Sequence, residues 1–395
     1  MYTLTYHDGR PADWGDFALL GARIALEEIN GIAFLGGVRI EMRDEDVADY
    51  HCWPEGAEGT AENLFKRNIL AVTGVDCSEP AVRISEVAAK YKKPAISYGA
   101  NASLLSSPAV FPFFFRVVPP SAAYERCLVD IAAHFGLRRI ALFHTTEAWG
   151  TGARGAIQAA AAASGIEVAV VHGYPRDTPV EAVERLVAEV KARGIRTVFI
   201  AMPTPDTVVA FRALARQDMN RPGFSIFASE MISADEGAEA VGGALGYLAP
   251  IARLRPSPKL ESFRRRLEKK LARPVDPDGK AFNYGVLAYD HILALGQALK
   301  RAGAAKGKEV DGETLMESLR RVDFEGASGR ISLAPGTNDR AFMAVEIANC
   351  HGFKEDGKTV NFVPVGFVDP QTGRLSLDES RILWPGRSKR PPQSG

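Results

Sequence analysis

Cysteine is scarce in this chain of 395 residues: only Cys52, Cys77, Cys127 and Cys350 occur, and no two of them form a CxxC pair. Their scarcity excludes a disulfide-dense scaffold and argues against a structural zinc site. Long apolar runs are missing as well, since no stretch approaches the ~20 apolar residues that span a bilayer. Neither charge is in excess, with 48 basic against 48 acidic side chains. No global field therefore draws the chain to nucleic acid or to an anionic membrane, and no nucleic-acid motif stands out. The start, Met1 to Gly9, has no basic segment leading into a cleavable apolar one. Taken literally that reads as cytosolic, although the chain opens directly in a strand-like run, as one trimmed of its leader would. HExxH, GxSxG, Walker A and paired catalytic Cys/His spacings are all absent. The histidines, His7, His51, His134, His144, His172, His291 and His351, are scattered like surface or satisfied core groups.

The length is too great for one ordinary core and predicts two domains or three. Hydrophobic residues at 46% and charged residues at 24% supply the apolar surface of a globular chain. A strand at 2 to 7 ends in His7-Asp8-Gly9. A helix follows in which Phe17, Leu20 and Ile24 share a face and Glu27 and Glu28 lie outside it. Val38 to Met42 reads as a second strand, 54 to 68 as a helix, Ile69 to Val75 as a strand, 80 to 91 as a helix and Pro94 to Tyr98 as a strand. Strands alternating with helices predict a doubly wound parallel sheet. After the run FFFRVVPPS the series begins again. Arg139 to His144, Glu167 to His172, Thr197 to Met202 and Phe224 to Ala228 are its strands, and a helix at 180 to 191 lines up Val180, Val183, Val187 and Val190. Two lobes built this way leave a central cleft between them. Residues 249 to 258 read as a Pro-broken crossover. Helices at Lys259 to Leu271 and Phe282 to Arg301, an amphipathic segment at Gly312 to Arg321, and strands at Gly326 to Ala334 and Ala341 to Ala348 make no complete parallel unit. They are expected to patch the lobes and cross between them. The tail from Pro385 reads as frayed.

The stretch Ala71 to Ser107 holds the most chemistry. Strand ends in a parallel sheet gather on one edge, so Ser78, after one strand, and Asn101, after the next, are expected as neighbours there. The helix from Pro80 to Tyr91 turns its first N–H groups, with positive dipole character, toward that edge, which suits a carboxylate. The same residues also read as a Ser-capped helix followed by a turn, and by themselves they leave both readings open. Gly150-Thr151-Gly152-Ala153-Arg154-Gly155 matches GxGxxG, follows a strand and opens a helix. Thr145 to Trp149 intervene where a phosphate turn is tight, however, and Glu167 begins the next strand instead of ending it. Arg43-Asp44-Glu45-Asp46 and Asp49 suit a solvated loop better than a cation site. Glu230 stands just after the strand FSIFA, at the rim of the second lobe, followed by Met231-Ile232-Ser233.

Taken together, Trp14-Gly15-Asp16 with the helix through Asn30, the run FFFRVVPPS, the turn EAWGTG and the order of elements resemble the type I periplasmic binding proteins. The likeness is closest to the leucine/isoleucine/valine-binding proteins of amino-acid ABC transporters and to the related receptor domains. The resemblance covers nearly the whole chain. It implies two doubly wound parallel-sheet lobes (α/β) joined by three crossovers, with residues 1–118 plus 251–328 in one lobe, 119–250 plus 329–380 in the other, and 381–395 as a tail. It also implies that Cys52 pairs with Cys77, hence an oxidising, periplasmic or extracellular location.

In that family a serine after the second cysteine and a threonine turn hold the ligand's α-carboxylate. Its ammonium meets a backbone carbonyl, that threonine and a glutamate of the second lobe. Ser78 matches the serine, Gly99 the carbonyl donor and Glu230 the glutamate. Asn101 stands where threonine is usual, and Trp14 and Trp149 stand where tyrosine is frequent. A zwitterion needs donors at one end and a carboxylate at the other, and these residues supply both. The expected function is capture of an amino acid or similar small polar ligand by lobe closure, for delivery to an ABC transporter permease. No cofactor, no metal, no catalysis, no nucleic acid and no membrane insertion are expected. A sensory receptor-type domain is the second reading, supported by Ile382-Leu383-Trp384-Pro385-Gly386, which resembles a receptor-ectodomain ending. A nucleotide-dependent dehydrogenase using residues 150 to 155 is the third.

Overall fold

The computed structural model describes residues 2–3, 13–31, 33–42, 48–49, 52, 54–67, 69–232, 238–341, 343–357, 359–369 and 371–391. The chain forms two compact units, Met1–Pro120 with Leu254–Met343, and Ser121–Arg253 with Ala344–Gly395, and it passes between them three times. In chain order the first elements are β1 (Tyr2–Thr3), α1 (Asp13–Gly31), β2 (Ala48–Asp49), α2 (Ala57–Lys66), β3 (Val72–Val75), α3 (Ser78–Tyr91), β4 (Ala95–Ser97) and β5 (Phe114–Arg116). There follow α4 (Ser121–His134), β6 (Arg139–Thr145), α5 (Ala148–Ala163), β7 (Glu167–Tyr174), α6 (Val180–Ala192), β8 (Thr197–Ala201), α7 (Thr204–Arg216), β9 (Ser225–Ala228), α8 (Ala238–Gly243) and β10 (Leu248–Ala252). The remainder are α9 (Pro258–Leu271), α10 (Lys280–Ala302), α11 (Gly312–Leu319), β11 (Asp323–Gly326), β12 (Gly329–Ser332), β13 (Val345–Phe353), β14 (Val360–Val368) and β15 (Leu375–Leu377).

In the first unit β1 pairs with β2, and β3, β4 and β5 form a parallel ladder. The three strands β3 to β5 are almost wholly buried, which matches their near-continuous apolar runs. Helix α10 lies against α1 at glycines: a Cβ on Gly21 would run into the carbonyl of Gly285, so the two backbones meet with no side chain between them. The expected strand at Val38 to Met42 does not form. Instead the side chain of Asn30 donates to Ile40 O at 2.8 Å and accepts from Ile40 N at 3.0 Å, satisfying backbone groups that a ladder would have used.

The second unit is one eight-stranded sheet in the order β15-β14-β13-β10-β9-β8-β6-β7, parallel from β7 to β10 and antiparallel beyond. Its helices cover both faces. Val183, Val187, Val190, Phe211 and Leu214 of α6 and α7 fill one side, while Leu128, Ile131, Ala153 and Ile157 of α4 and α5 fill the other. The strand order reverses between β6 and β8, and in such sheets ligands sit beyond the carboxyl ends of the strands at that switch point.

Two expected boundaries move. Residues 329 to 343 belong to the first unit, because β12 pairs with β11 and the Arg340 guanidinium donates to Val117 O, Ser328 O and Arg330 O. Of the expected tail, residues 382–385 are buried, whereas 386, 387 and 389–391 are exposed. Ile382 and Trp384 are buried, and Asn349 bonds both the N–H of Leu383 at 2.6 Å and its carbonyl at 3.0 Å.

Candidate functional site

In the first unit the carboxyl ends of β3 and β4 carry Asp76-Cys77-Ser78 and Tyr98-Gly99-Ala100-Asn101. A disulfide joins Cys52 to Cys77 with a Cα–Cα distance of 5.3 Å, within the usual range for such a bond, and Cys77 is the N-cap of α3. The side chains of Cys52, Asp76 and Cys77 cluster, but the disulfide takes both sulfurs. Ser78, not Pro80, opens the helix. Its Oγ accepts from Ala102 N at 3.0 Å, which places Ser78 beside the residue following Asn101. Ser97 Oγ accepts from Gly99 N at 3.2 Å and Ala100 N at 2.8 Å, and itself donates to Val75 O at 2.5 Å. Tyr98, fully buried, donates to Asp76 at 3.1 Å. Gly99 is required by close approach: a Cβ there would lie 2.8 Å from the Asp76 carbonyl oxygen and 3.2 Å from Cε1 of Tyr284.

Three further groups shape this turn. Arg116, with no exposed surface, donates to Ala100 O and Ala102 O at 3.0 Å each, to Ser106 Oγ at 2.8 Å, and through Nε to Asp339 at 3.0 Å. Its only signal in the sequence is one arginine inside an apolar strand run. Tyr284 and Lys280, one helical turn apart on α10, approach Trp14. The Trp14 and Tyr284 ring centroids are 6.2 Å apart, and Lys280 Nζ lies 4.7 Å from the Trp14 centroid. Trp14 and Gly99 thus share Tyr284 as a neighbour, in a cluster that combines a cation with aromatic faces.

In the second unit Glu230 follows β9 and is half-buried. Its turn is pinned by Tyr247, whose hydroxyl accepts from Ile232 N at 2.9 Å and donates to Glu230 O at 3.3 Å. Ser229 Oγ donates to Glu125 at 2.9 Å. Trp149 is 6% exposed, so most of its ring is spent on packing within α5 and its neighbours. The glycines of the GxGxxG match lie inside α5, which begins at Ala148, so the residues form no phosphate-cradling turn. Gly150 is needed because a Cβ would strike the backbone and side chain of Thr145. At the switch point the sequence reading missed Glu147, Arg176 and Asp206. Glu147 accepts from Arg176 N at 3.1 Å and Asp206 from Asp177 N at 2.9 Å, and burial pushes the Asp206 carboxyl up to about 6.

The remaining candidates are core groups or fall outside the described residues. His291 is buried, its Nδ1 bonded to Ala288 O, and burial depresses it to about 3. Cys127 and Cys350 are buried free thiols held protonated by desolvation. His7, His51, Ser233 and the acidic run at 43 to 46 lie outside the described residues.

Among protein-family models, the receptor family ligand binding region matches residues 18–352. The chain belongs to that family. Among curated relatives, the metabotropic glutamate receptor-like protein E of Dictyostelium discoideum is 26% identical over 310 residues, 76% of this chain and 36% of the receptor. The leucine-, isoleucine-, valine-, threonine-, and alanine-binding protein of Pseudomonas aeruginosa is 23% identical over 332 residues, 82% of each chain. A crystal structure of the solute binding protein of an ABC transporter from Rhodopseudomonas palustris BisB5, in complex with 3,4-dihydroxy benzoic acid, has a TM-score of 0.73 at 20% identity, covering 93% of this chain and 96% of that one. The fold is therefore the type I periplasmic binding protein fold. The chain spans 36% and 39% of the length of two receptors it matches, the one above and glutamate receptor 2.4 of Arabidopsis thaliana. No helix of the described residues is long and apolar enough to cross a membrane.

Proposed function

We propose that this family member is an extracytoplasmic solute-binding protein that captures an amino acid or a similar small polar ligand and delivers it to an ABC transporter permease. The observation that carries the reading is the opening of α3 on Ser78, with the Gly99 to Ala102 turn fixed against it by Arg116. A helix end, a serine hydroxyl and a preset turn suit a carboxylate, and the nearby Lys280 adds a positive charge. Glu230 supplies the opposite requirement, an acceptor for an ammonium. In this reading the ligand is bound and released unchanged, without catalysis or a cofactor. The Cys52–Cys77 disulfide supports an oxidising compartment.

Mass spectrometry of small molecules that co-purify with the gently prepared protein, followed by thermal-shift screening of amino acids, amides and small carboxylates, tests the proposal. Glu230→Ala should weaken an amine-bearing ligand about a hundredfold, the order expected when one partner of a buried charge pair is removed, and leave the melting temperature nearly unchanged. Unaltered affinity in calorimetry would remove Glu230 from the site. Thermal shifts with NAD and none with amino acids would replace the proposal with the dehydrogenase reading. A sensory role is favoured by the receptor relatives, and a permease that fails to bind the loaded protein would support it.

A further inference from the structure

Glu125 lies in the first turns of α4 with no exposed surface, and it touches the amine-side turn through one bond, 2.9 Å from Ser229 Oγ to its Oε2. Its Oε1 has no hydrogen-bond partner among the described residues. An ionised carboxylate with a single neutral donor in apolar surroundings bears a desolvation cost that one hydroxyl does not offset, whereas the neutral acid avoids most of it. The elements packed on α4 offer no compensation: α5, β10, β13 and β15 bring Ala153, Ile157, Leu248, Val345, Ile347 and Leu375 to the same core. Arg154 of α5 lies near His144, whose protonation it disfavours, and has no resolved effect on Glu125, while Glu346 of β13 pairs with Arg253 at 3.6 Å. On α4 itself Arg126 bonds Asp130 at 2.7 Å, His134 meets Glu379 at 2.8 Å, and Cys127 is a buried thiol. The titratable group that acts on Glu125 from another element is Glu230, of the same sign. Burial first, and Glu230 after it, raise the Glu125 carboxyl to about 8 against the opposing pull of the Ser229 bond.

We infer that Glu125 is a positioning residue: as a neutral carboxylic acid it holds Ser229, and with it the Glu230 turn, in binding geometry, and loss of its proton weakens capture of an amine-bearing ligand. The inference rests on the amine-side role given to Glu230 above. Once ionised, Glu125 needs donors that its apolar surroundings lack, and the Ser229 bond is the contact through which that change reaches the Glu230 turn.

The test titrates the full chain, Glu125→Gln and Glu125→Ala with individual L-amino acids by calorimetry from about pH 6 to about pH 9. Ionisation of the ligand amine affects all three proteins alike, so affinity ratios isolate residue 125. The Gln variant should match the native chain at the lower pH and bind about tenfold tighter than it at the upper, one unit above the midpoint. The Ala variant, unable to hold Ser229, should be weaker at every pH. Infrared difference spectra at neutral pH should show a protonated-acid carbonyl band in the native chain that is missing from Glu125→Gln. A ratio that is flat in pH, a native affinity that rises relative to Gln, or absence of the band overturns the inference. If no L-amino acid binds any of the proteins, the amino-acid reading fails by itself. The infrared band and the effect of Ser229→Ala on its frequency then decide whether Glu125 is the protonated anchor of that turn.

Discussion

The turn at Gly99 to Ala102 is braced by a buried guanidinium whose five hydrogen bonds end on Ala100, Ala102, Ser106 and Asp339. The turn at Ser229 to Ile232 is braced by hydroxyls, those of Ser229 and Tyr247, and by the buried carboxyl of Glu125. Both turns follow parallel strands at their carboxyl ends, and both present a residue proposed to touch ligand. The first commits a charge and neutralises it with Asp339 and two carbonyls. The second keeps its buried acid neutral, so its geometry depends on a proton. Charge-assisted bonds are roughly twice as strong as neutral ones, and an unpaired buried charge is worse than either.

Arg116→Met attacks the stronger brace and should cost about 3–5 kcal/mol, because it leaves Asp339 and two carbonyls buried without their donor. Urea unfolding measures it, and a loss below about 1 kcal/mol would erase the contrast between the turns. Removing the covalent link at the N-cap of α3 comes next. Cys52→Ser with Cys77→Ser opens a loop of 25 positions and should cost about 3 kcal/mol, read from the midpoint shift of the same unfolding curves with and without a dithiol.

The proton at Glu125 sets the third effect. Below 4.5, the ordinary carboxyl value, folded and unfolded chains both hold it; between there and about 8 only the folded chain does. Stability from this group is therefore complete in acid and falls as pH rises through that window, by about 1.4 kcal/mol per unit at most. Glu125→Gln should flatten the slope in unfolding experiments run across the window, and parallel slopes would show that the acid is ionised in the fold. Tyr247→Phe should have the smallest effect. It deletes the bonds to Ile232 and Glu230 and should lower stability by about 1 kcal/mol, with a larger proportional loss in ligand affinity than in melting temperature.

The part of this protein that could be read from its amino-acid order is the part written locally. Apolar runs broken by amphipathic helices declared the two α/β series, and Ser78, Gly99 and Asn101 fall in one short stretch whose strand–helix–strand rhythm places them at one sheet edge. The disulfide was legible through family likeness, which also named Glu230 as the candidate amine partner. Arg116 and Asp339 lie 223 positions apart and Glu125 and Ser229 lie 104 apart, so no periodicity announces either pair. Which polar residue enters an apolar run to brace a turn, which glycine lets Tyr284 approach, and why Asn30 takes the hydrogen bonds of Ile40 were decided by tertiary contact. Burial sets the cost of every polar atom, and burial depends on residues that chain order leaves far apart.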